Sequence, residues 1–237
     1  MRDNLNDLSV YQYYISHMEK KIYVDKIFPL LKKREEYKNL KIDAESLMYV
    51  TNFRDSEQIC NIVCEHIKKI KNPADSVLID ATGGIGGDTI TFAKRFLQII
   101  SIELDKHRYD FLKNNIDIYK FKNVIDINGD SLAIIPKLPS IDVIYIDPPW
   151  GGKSYKDKKT LRITMNDLEL ENIVIDFLSS DRMTSVPKVI AIKLPKNYDL
   201  KYMYDKLIAA GQNMIYLYEL QKMYIITIEN FKVCSDQ

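Results

Sequence analysis

The sequence predicts an α/β protein built on a doubly wound, mostly parallel sheet. After Asn72-Pro73, short apolar runs alternate with amphipathic segments, which is typical of strands that are buried on both faces and joined by helices. The chain then ends in two adjacent β-rich runs, MIYLYEL and KMYIITI, and these predict a terminal antiparallel hairpin on the sheet. One large core with a small appendage fits the 237 residues.

The alternation assigns each segment in order. A strand enters a glycine-rich turn, and helices and strands follow until a last helix stops at Gly211, a residue suited to a helix C-terminus. We predict strands over residues 77–80, 99–103, 124–127, 142–147 and 189–194. We predict helices over residues 88–96, 105–116, 165–178 and 199–210.

Residues 1–72 are predicted to form a helical N-terminal extension, distinct from a main domain over residues 73–237. Residues 1–20 show no period and are expected to be a mobile or partner-bound arm, and residues 19–41 predict a short helical region with a basic surface. A helix of about four turns follows, because Ile59, Val63, Ile67 and Ile70 recur at helical spacing. Asp55 or Ser56 is expected to cap its start.

Composition excludes several classes of protein. The 34 basic and 33 acidic residues give a net charge of +1, which argues against a polycationic DNA binder but allows a local basic patch. Cys60 and Cys64 share a helix face and are expected to be buried free thiols, and no His/Cys cluster predicts a metal site. The first residues lack the pattern of a secretory signal, and no apolar run is long enough to span a membrane. We therefore expect an intracellular monomer, nuclear or cytoplasmic, that does not enter membranes; the Ile-, Lys- and Asn-rich composition is typical of an AT-rich genome such as that of a virus.

A glycine loop, VLIDATGGIGGDT, lies between the first strand and its helix. Its glycines let the backbone approach a ligand and leave the helix N-terminus open to a polar group. The dinucleotide pattern fails, because Thr89 occupies the place of the third glycine, and there is no lysine of the phosphate-binding kind.

Acidic residues at successive strand ends narrow the choice of ligand. Asp80 ends the first strand, and Glu103 ends the second, where a carboxylate can accept hydrogen bonds from both hydroxyls of a ribose. Asp130 follows the third strand and can reach the edge of an adenine. A nucleoside site without a diphosphate anchor is what S-adenosylmethionine requires.

The stretch DVIYIDPPWGG, residues 142–152, ends the fourth strand in a stiff corner. Proline fixes φ and removes N–H donors, so the corner presents carbonyl acceptors. The Asp147 carboxylate and a proline carbonyl can accept both hydrogens of an exocyclic amino group, while Trp150 offers a flat face for the base. Alignment with the methyl donor and stabilisation of the charge that develops on nitrogen would then supply most of the catalysis.

The pattern (D/N/S)-P-P-(Y/F/W) resembles that of amino methyltransferases acting on the exocyclic nitrogens of bases. The longer PPWGG, with KLPKN at residues 193–197, the glycine loop and the stretch YVTNFRDSEQICNIVCEHI, resembles the trimethylguanosine synthase family over residues 21–231. The resemblance implies a Rossmann-like class I methyltransferase fold with a seven-stranded sheet. It also implies S-adenosylmethionine as the methyl donor and 7-methylguanosine-capped RNA or a free cap nucleotide as the partner.

The resemblance also implies roles for individual residues, including a cation–π stack of the cationic 7-methylguanine on the indole. The catalytic corner would be Asp147, Pro148, Pro149 and Trp150. The cofactor would be held by Thr51, Asp80, Thr82, Gly84, Gly86, Glu103, Leu104, Asp130, Ser131 and Asp147. The substrate would be held by Trp150, Lys153, Tyr155, Lys196 and Asn197, the last two at the cap phosphates, and the basic run Lys153, Lys156, Lys158, Lys159 and Arg162 would lie beside them.

Two departures from the family pattern leave the base open. Asp147 stands where animal members tend to carry Ser, and Asp is what adenine-N6 enzymes prefer. Lys196 stands where many members carry Arg, so a bidentate phosphate contact becomes a point charge. The alternatives are therefore an amino methyltransferase acting on adenine N6 in DNA or RNA or on guanine N2 in ribosomal RNA, and a non-catalytic cap- or RNA-binding module.

Overall fold

A computed structural model describes residue 24 and residues 26–231. The arm expected over residues 1–20 and Cys234 lie outside the described residues. Within the described part, Cys60 and Cys64 are buried free thiols, as predicted. None of the helices in this part combines the length and the apolar character that crossing a membrane would require.

The described residues contain nine strands. Seven of them correspond to the strands predicted from the sequence, with ends that differ by a residue or two, whereas a short pair at residues 164–169 was not predicted. In chain order they are β1 (Val77–Asp80), β2 (Gln98–Glu103), β3 (Val124–Asn128), β4 (Val143–Ile146), β5 (Thr164–Met165), β6 (Leu168–Glu169), β7 (Val189–Pro195), β8 (Ile215–Glu219) and β9 (Met223–Glu229).

Between residues 46 and 209, seven α-helices accompany these strands. Short 3₁₀ turns add to them at Arg34–Asn39, Pro73–Asp75, Ile135–Lys137 and Gly152–Asp157. The α-helices are α1 (Ser46–Tyr49), α2 (Phe53–Ile67), α3 (Gly87–Phe92), α4 (Lys106–Tyr119), α5 (Ser131–Ile134), α6 (Leu170–Phe177) and α7 (Leu200–Ala209).

The main sheet has seven strands in the order β3-β2-β1-β4-β7-β9-β8. The first five in this order run parallel, whereas β9 is antiparallel to both β7 and β8, so the predicted terminal hairpin is confirmed. Strand order reverses between β1 and β4, because the chain first builds outward to β3 and then returns to the other side of β1. In open α/β sheets, the crevice beside such a switch point at the carboxyl ends of the strands is the usual ligand site.

Alternating side chains of the strands bury two apolar layers, one on each face of the sheet. Ile79, Ile144 and Ile190 point to one face, which α6 and α7 cover. Leu78, Val143 and Val189 point to the other face, which α2 covers with side chains including Ile59 and Val63. Burial on both faces explains why these strands are nearly all apolar in sequence.

Three helix predictions were wrong at their ends. The helix predicted over residues 88–96 is α3, which ends four residues earlier, at Phe92. α2 begins after Asn52, whose side-chain oxygen accepts from the Asp55 N–H at 3.0 Å, and it stops at Ile67, which leaves Ile70 41% exposed. The helix predicted from residue 165 begins only at Leu170. Asn166 and Asp167 adopt positive φ (48° and 63°), so the chain makes a tight hairpin turn there between β5 and β6.

The N-terminal extension packs against α4 and contacts the main domain. Val24, Phe28 and Leu40 form an apolar cluster with Phe111 and Leu112 of α4. The Asn115 side chain secures the same contact, since it bonds both the N–H and the carbonyl of residue 41. Farther along the extension, Thr51 is buried and its hydroxyl bonds the side chain of Asp88 in α3.

Candidate active site

Asp80 organises the glycine loop at the end of β1. Its two carboxylate oxygens accept from the Thr82 N–H at 3.3 Å and from the Thr89 hydroxyl at 2.5 Å, so the acid spans the loop from its first turn to α3. The side chain is only 1% exposed. Burial raises the pKa of Asp80 to about 7, against the opposing effect of the Thr89 hydrogen bond and with a further increase from the neighbouring Asp88.

Three glycines of the loop are required by its geometry. A Cβ at Gly83 would lie 2.4 Å from the Ser101 hydroxyl oxygen, so no side chain fits there. Gly84 and Gly86 have φ of 54° and 95°, a left-handed conformation that glycine adopts without strain. No atom lies within 4 Å of a Cβ built at Gly84, so the loop presents bare backbone to open space.

Glu103 ends β2 and is joined to the same loop. One of its oxygens accepts from the Gly84 N–H and the other from the Asp105 N–H, both at 2.8 Å. A carboxylate offers about four lone-pair sites. Two acceptor sites therefore remain for the pair of ribose hydroxyls that the sequence assigns to Glu103.

The third acid, Asp130, lies at the N-terminus of α5. One oxygen caps that helix by accepting from the Leu132 N–H at 2.9 Å, and the other accepts from the Asn166 side chain at 2.9 Å. Ser131 is buried directly behind it, whereas Leu104 is 61% exposed after the end of β2. The structure thus provides an acceptor and an exposed apolar side chain at this edge, and the sequence reasoning overlooked Asn166.

The diproline corner begins beside the glycine loop, because β4 is the neighbour of β1. The Asp147 N–H donates to the Thr82 hydroxyl at 2.8 Å, so a loop residue fixes the first residue of the motif. Pro148 is buried and Pro149 is exposed.

Trp150 is half-buried at the end of this corner and packs against apolar side chains of both layers. Its ring meets Tyr155 edge-to-face, with ring centroids 5.2 Å apart. Its indole N–H is buried and has no hydrogen-bond partner among the described residues, which is uncommon for a buried donor. The indole therefore forms a wall of the site rather than a freely projecting side chain.

Lys193 is the principal residue of the site for which the sequence reasoning assigned no role. It is 3% exposed at the end of β7, one residue beyond the Ile146–Ile192 pair, and so lies beside Asp147. Its ammonium donates to the Asp147 carboxylate at 2.7 Å and to the Thr51 hydroxyl at 2.8 Å, and lies 5.4 Å from the centroid of Trp150. A lysine within the otherwise apolar run VIAIKLP was the signal that could have revealed it.

The polar cluster around Lys193 continues toward the glycine loop. The Thr51 hydroxyl donates to the Asp88 carboxylate at 2.7 Å, and the buried Tyr145 hydroxyl donates to the same oxygen at 3.0 Å. The other oxygen of Asp88 is buried without a partner among the described residues. Thr51, expected to lie near the cofactor, is thereby placed at the start of α3, directly after the glycine loop.

Opposing influences act on the charges of this cluster. Burial raises the pKa of Asp147 to about 6, although the Lys193 ammonium pulls it down, and Asp88 raises it further. Burial works against the Lys193 ammonium, but the carboxylates of Asp147 and Asp88 outweigh it and hold the pKa of Lys193 above its usual value. Burial also raises the pKa of Tyr145 well above 10, so this phenol stays neutral.

The residues expected to hold the substrate are only partly brought together. Lys153 and Tyr155 lie in the 3₁₀ turn that follows Trp150, and Lys156, Lys158 and Lys159 continue it as exposed side chains. This lysine-rich loop follows the diproline corner directly, as the sequence indicates.

Of the two phosphate contacts implied by the family resemblance, the one assigned to Asn197 needs correction and the one assigned to Lys196 stays a prediction. Asn197 donates both its amide hydrogens to loop carbonyls, those of Tyr155 and Lys158, each at 2.7 Å, so it anchors the loop and has no N–H left for a phosphate. Lys196 pairs with the exposed Glu219 at 2.6 Å. Such a surface pair is worth at most about 1 kcal/mol, so Lys196 can still turn to an anion.

Arg162, which ends the basic run, also has other partners. Its guanidinium pairs with Glu169 and lies over the Tyr202 ring, 3.5 Å from the centroid. It supports the β5–β6 hairpin rather than the open face of the loop. The loop's free cations are therefore lysines.

The fold and the site together define a class I, S-adenosylmethionine-dependent methyltransferase. The residues fit this donor, since a bare glycine backbone, a carboxylate with spare acceptor sites and an exposed leucine converge at the switch point of the sheet. More narrowly, the chain belongs to the RNA cap guanine-N2 methyltransferase family, whose model matches residues 75–229. Resemblance to the trimethylguanosine synthases, inferred from PPWGG and LPKN, is thereby confirmed.

Relatives of known sequence agree with this family. The chain is 32% identical to the trimethylguanosine synthase of Schizosaccharomyces pombe, over 68% of this chain and 64% of the synthase. It is 30% identical to an uncharacterised protein of Acanthamoeba polyphaga mimivirus, over 80% of this chain and 79% of that protein. It is 27% identical to ribosomal RNA small subunit methyltransferase J of Francisella philomiragia, over 84% and 87% of the two chains.

Solved structures support the fold. A proposed methylase of Haemophilus influenzae superimposes with a TM-score of 0.50 at 17% identity, over 76% of this chain and 89% of that one. Identity at this level speaks for the architecture alone.

Proposed function

We propose that this chain methylates the exocyclic N2 of guanine in a 7-methylguanosine cap. The product would be 2,7-dimethylguanosine, and 2,2,7-trimethylguanosine if a second transfer follows. The observation that carries the proposal is the position of the diproline corner, which the Thr82 hydroxyl joins to the glycine loop at 2.8 Å. A base amine held at Asp147 would therefore lie next to the methyl donor.

S-adenosylmethionine supplies a methyl carbon bound to a positively charged sulfur. The open backbone of the glycine loop would lie against one end of this donor. Glu103 and Asp130 would hold its nucleoside. Thr51 and Asp80, which flank the loop, would complete the site. None of these residues needs to change its protonation state for the transfer itself.

Asp147 and the adjacent proline carbonyl would receive the two hydrogens of the amine. When acceptors bind both hydrogens, the amine lone pair is less delocalised into the ring and points toward the methyl carbon. As the nitrogen–carbon bond would form, the methyl–sulfur bond would break and its electron pair would go to the sulfur of the leaving group. Positive charge would then develop on the nitrogen, and the carboxylate would stabilise it. One proton then leaves the nitrogen for the carboxylate, which is a stronger base than an ordinary aspartate because burial raises its pKa to about 6.

Trp150 would hold the base by stacking, and the lysine-rich loop would hold the phosphates. Methylation at N7 makes the guanine ring cationic, which strengthens its contact with an indole. The exposed Lys156, Lys158 and Lys159 offer three cations for the negatively charged chain that follows the cap. The partners would thus be capped RNA or a free cap nucleotide. The chain would act as a monomer inside the cell, and it could be a viral protein.

A second candidate is transfer to a base amine within an RNA or DNA chain, at guanine N2 in ribosomal RNA or at adenine N6. Asp147 favours it, because aspartate at this position is what adenine-N6 enzymes prefer. The relatives named as ribosomal RNA small subunit methyltransferases fit the ribosomal RNA form of this alternative in part.

One experiment separates these candidates. The protein is incubated with S-adenosylmethionine labelled in its methyl group and with, in parallel, 7-methylguanosine triphosphate, GTP, an adenine oligonucleotide and ribosomal RNA. The labelled nucleoside is then identified by digestion and chromatography. We expect label on 2,7-dimethylguanosine and none on GTP; label on N6-methyladenosine or on ribosomal N2-methylguanosine alone would overturn the cap assignment.

A further inference from the structure

The Lys193 ammonium is enclosed by the acidic corner and the N-terminal segment. It donates to one oxygen of Asp147, Oδ2, and to the Thr51 hydroxyl, and the described residues provide no hydrogen bond to the other oxygen, Oδ1. The Asp147 side chain is still 20% exposed, whereas that of Lys193 is 4% exposed. The lysine therefore approaches the carboxylate from inside the protein and leaves its outer oxygen toward the site.

We propose that Lys193 is a positioning residue for the methyl acceptor, which keeps the Asp147 carboxylate charged and oriented so that its outer oxygen receives a hydrogen of the substrate amine. The proposal rests on the proposed function in one respect only, that Asp147 meets the amine. It explains how this chain carries aspartate at the head of the motif, where animal members of the family tend to carry serine. An isolated charged aspartate in this corner would be costly, and the buried ammonium compensates for it.

The groups that face Asp147 come from several elements. Lys193 on β7 is the attractive one, whereas Asp88 on α3 repels it and Asp80 at the end of β1 lies in the same electrostatic cluster. Tyr145 on β4 is also coupled to the carboxylate but remains neutral. Among the described residues whose charges act on the pKa of Asp147, the Lys193 ammonium is thus the one positive group, and its removal leaves only burial and repulsion.

Because the sequence has a single tryptophan, intrinsic fluorescence can report on the Lys193–Asp147 pair without any substrate. Trp150 is the only tryptophan of the sequence, and the Lys193 ammonium lies 5.4 Å from its ring centroid. Protonation of Asp147 changes the charge balance beside the indole, so intrinsic fluorescence should report it. We expect an inflection near pH 6 in the wild-type protein.

The test uses Lys193→Met, which keeps length and apolar volume, together with Asp147→Ser and the double variant. In Lys193→Met the fluorescence inflection should move upward by about 1–3 pH units, because an opposite charge at this distance lowers a carboxyl pKa by that amount. The acid limb of the methylation rate should move upward with it. Asp147→Ser and the double variant should lack this inflection, which assigns it to Asp147 rather than to Asp80.

Thermal melting provides a readout that does not depend on the substrate. Each single variant removes one member of the buried Lys193–Asp147 pair, so its Tm should fall by on the order of 10 °C, whereas the double variant removes both members and should recover most of that loss. An unshifted inflection in Lys193→Met, or a double variant whose Tm loss equals the sum of the single losses, would overturn the proposal. Absence of guanine methylation by the wild-type protein would instead overturn the proposed function, while fluorescence and melting still decide whether the pair exists.

Discussion

The Thr82 hydroxyl accepts the Asp147 N–H at 2.8 Å, and this bond joins the cofactor loop to the first residue of the diproline corner. Thr82 follows β1 and Asp147 follows β4, so the bond bridges the two strands between which the sheet reverses its order. Because of this bond, a displacement of the loop would also displace the corner. We regard this contact as the main reason why the proposed donor and acceptor sites share one geometry.

Replacing Thr82 with Val should misplace the corner. The valine has the same shape but cannot accept the Asp147 N–H, and a displacement of about 1 Å at a reacting group can cost on the order of 100-fold in rate. We expect kcat to fall by about 10- to 100-fold in a steady-state methylation assay. Thr82→Ser keeps the oxygen and serves as the control; a valine variant with wild-type kcat would show that the bond has no part in positioning.

Trp150→Ala should abolish methylation and spare the donor site. The indole forms a wall on the acceptor side, whereas the glycine loop and Glu103 lie on the donor side, so the S-adenosylmethionine Kd measured by calorimetry should stay within about threefold of wild type. Base stacking on an aromatic side chain is worth about 1–3 kcal/mol per base, so cap-analogue affinity should fall by about 5- to 150-fold. A large loss of donor affinity would refute the stacking role.

Glu103→Ala should produce the reverse pattern. Hydrogen bonds to a charged group contribute about 1.5–3 kcal/mol, so loss of the ribose contacts should weaken S-adenosylmethionine binding by about 10- to 150-fold. Cap-analogue binding should be unchanged in the same calorimetric series. An unaltered donor Kd would count against Glu103 as the ribose residue.

Donor affinity should increase with pH through about 7. Burial raises the pKa of Asp80 to about 7, so this carboxyl is mostly protonated at pH 6 and mostly ionised at pH 8. S-adenosylmethionine brings positive charge to the loop, which favours the ionised form, so binding at low pH must release a proton. We expect affinity to be about tenfold weaker at pH 6 than at pH 8, with proton release visible in buffers of different ionisation enthalpy.

Asp80→Asn is the control for that titration, since its side chain cannot ionise. Its donor affinity should be weaker throughout and nearly independent of pH between 6 and 8. An equally steep pH dependence in this variant would assign the effect to another group.

Neutralising the lysine-rich loop should act on the phosphate chain and not on the base. In Lys158→Gln with Lys159→Gln, KM for a capped oligonucleotide should rise, and the salt dependence of binding should become shallower by about two charges. The affinity for 7-methylguanosine nucleoside, which has no phosphates, should not change. Lys201→Gln on α7, a side chain 85% exposed, is the matched control, and an equal effect of that variant would indicate a non-specific loss of charge.

The alternation of apolar runs was enough to predict the main sheet, because strands such as β4 and β7 are buried on both faces and are apolar at nearly every residue. The β5–β6 hairpin was missed because two residues per strand leave no period to detect, and its turn is made by Asn166 and Asp167, which have side chains, rather than by glycine. The helix predicted through that region began five residues early for the same reason.

Candidate site residues could be proposed from the sequence when a motif contained them. Glu103 and Asp147 stand at strand ends, where the parallel sheet brings carboxyl ends to one edge, so their proximity could be foreseen. Lys193 and Asp88 could not be assigned, because their function depends on side chains from three other elements that only tertiary packing brings together. For Asn197 the prediction failed in the opposite way. Its motif was noticed in the sequence, but its amide hydrogens bond carbonyls of the adjacent loop.

The buried Thr51 has a practical consequence for anyone who shortens this protein. The family match begins at residue 75, and the complete sheet begins at Val77, so a fragment trimmed to those limits would keep every strand. It would nevertheless lose the hydroxyl that joins Lys193 to Asp88, along with α2, which shields one face of the sheet. Such a fragment should expose that face to water and aggregate, and any residual folded material should methylate poorly.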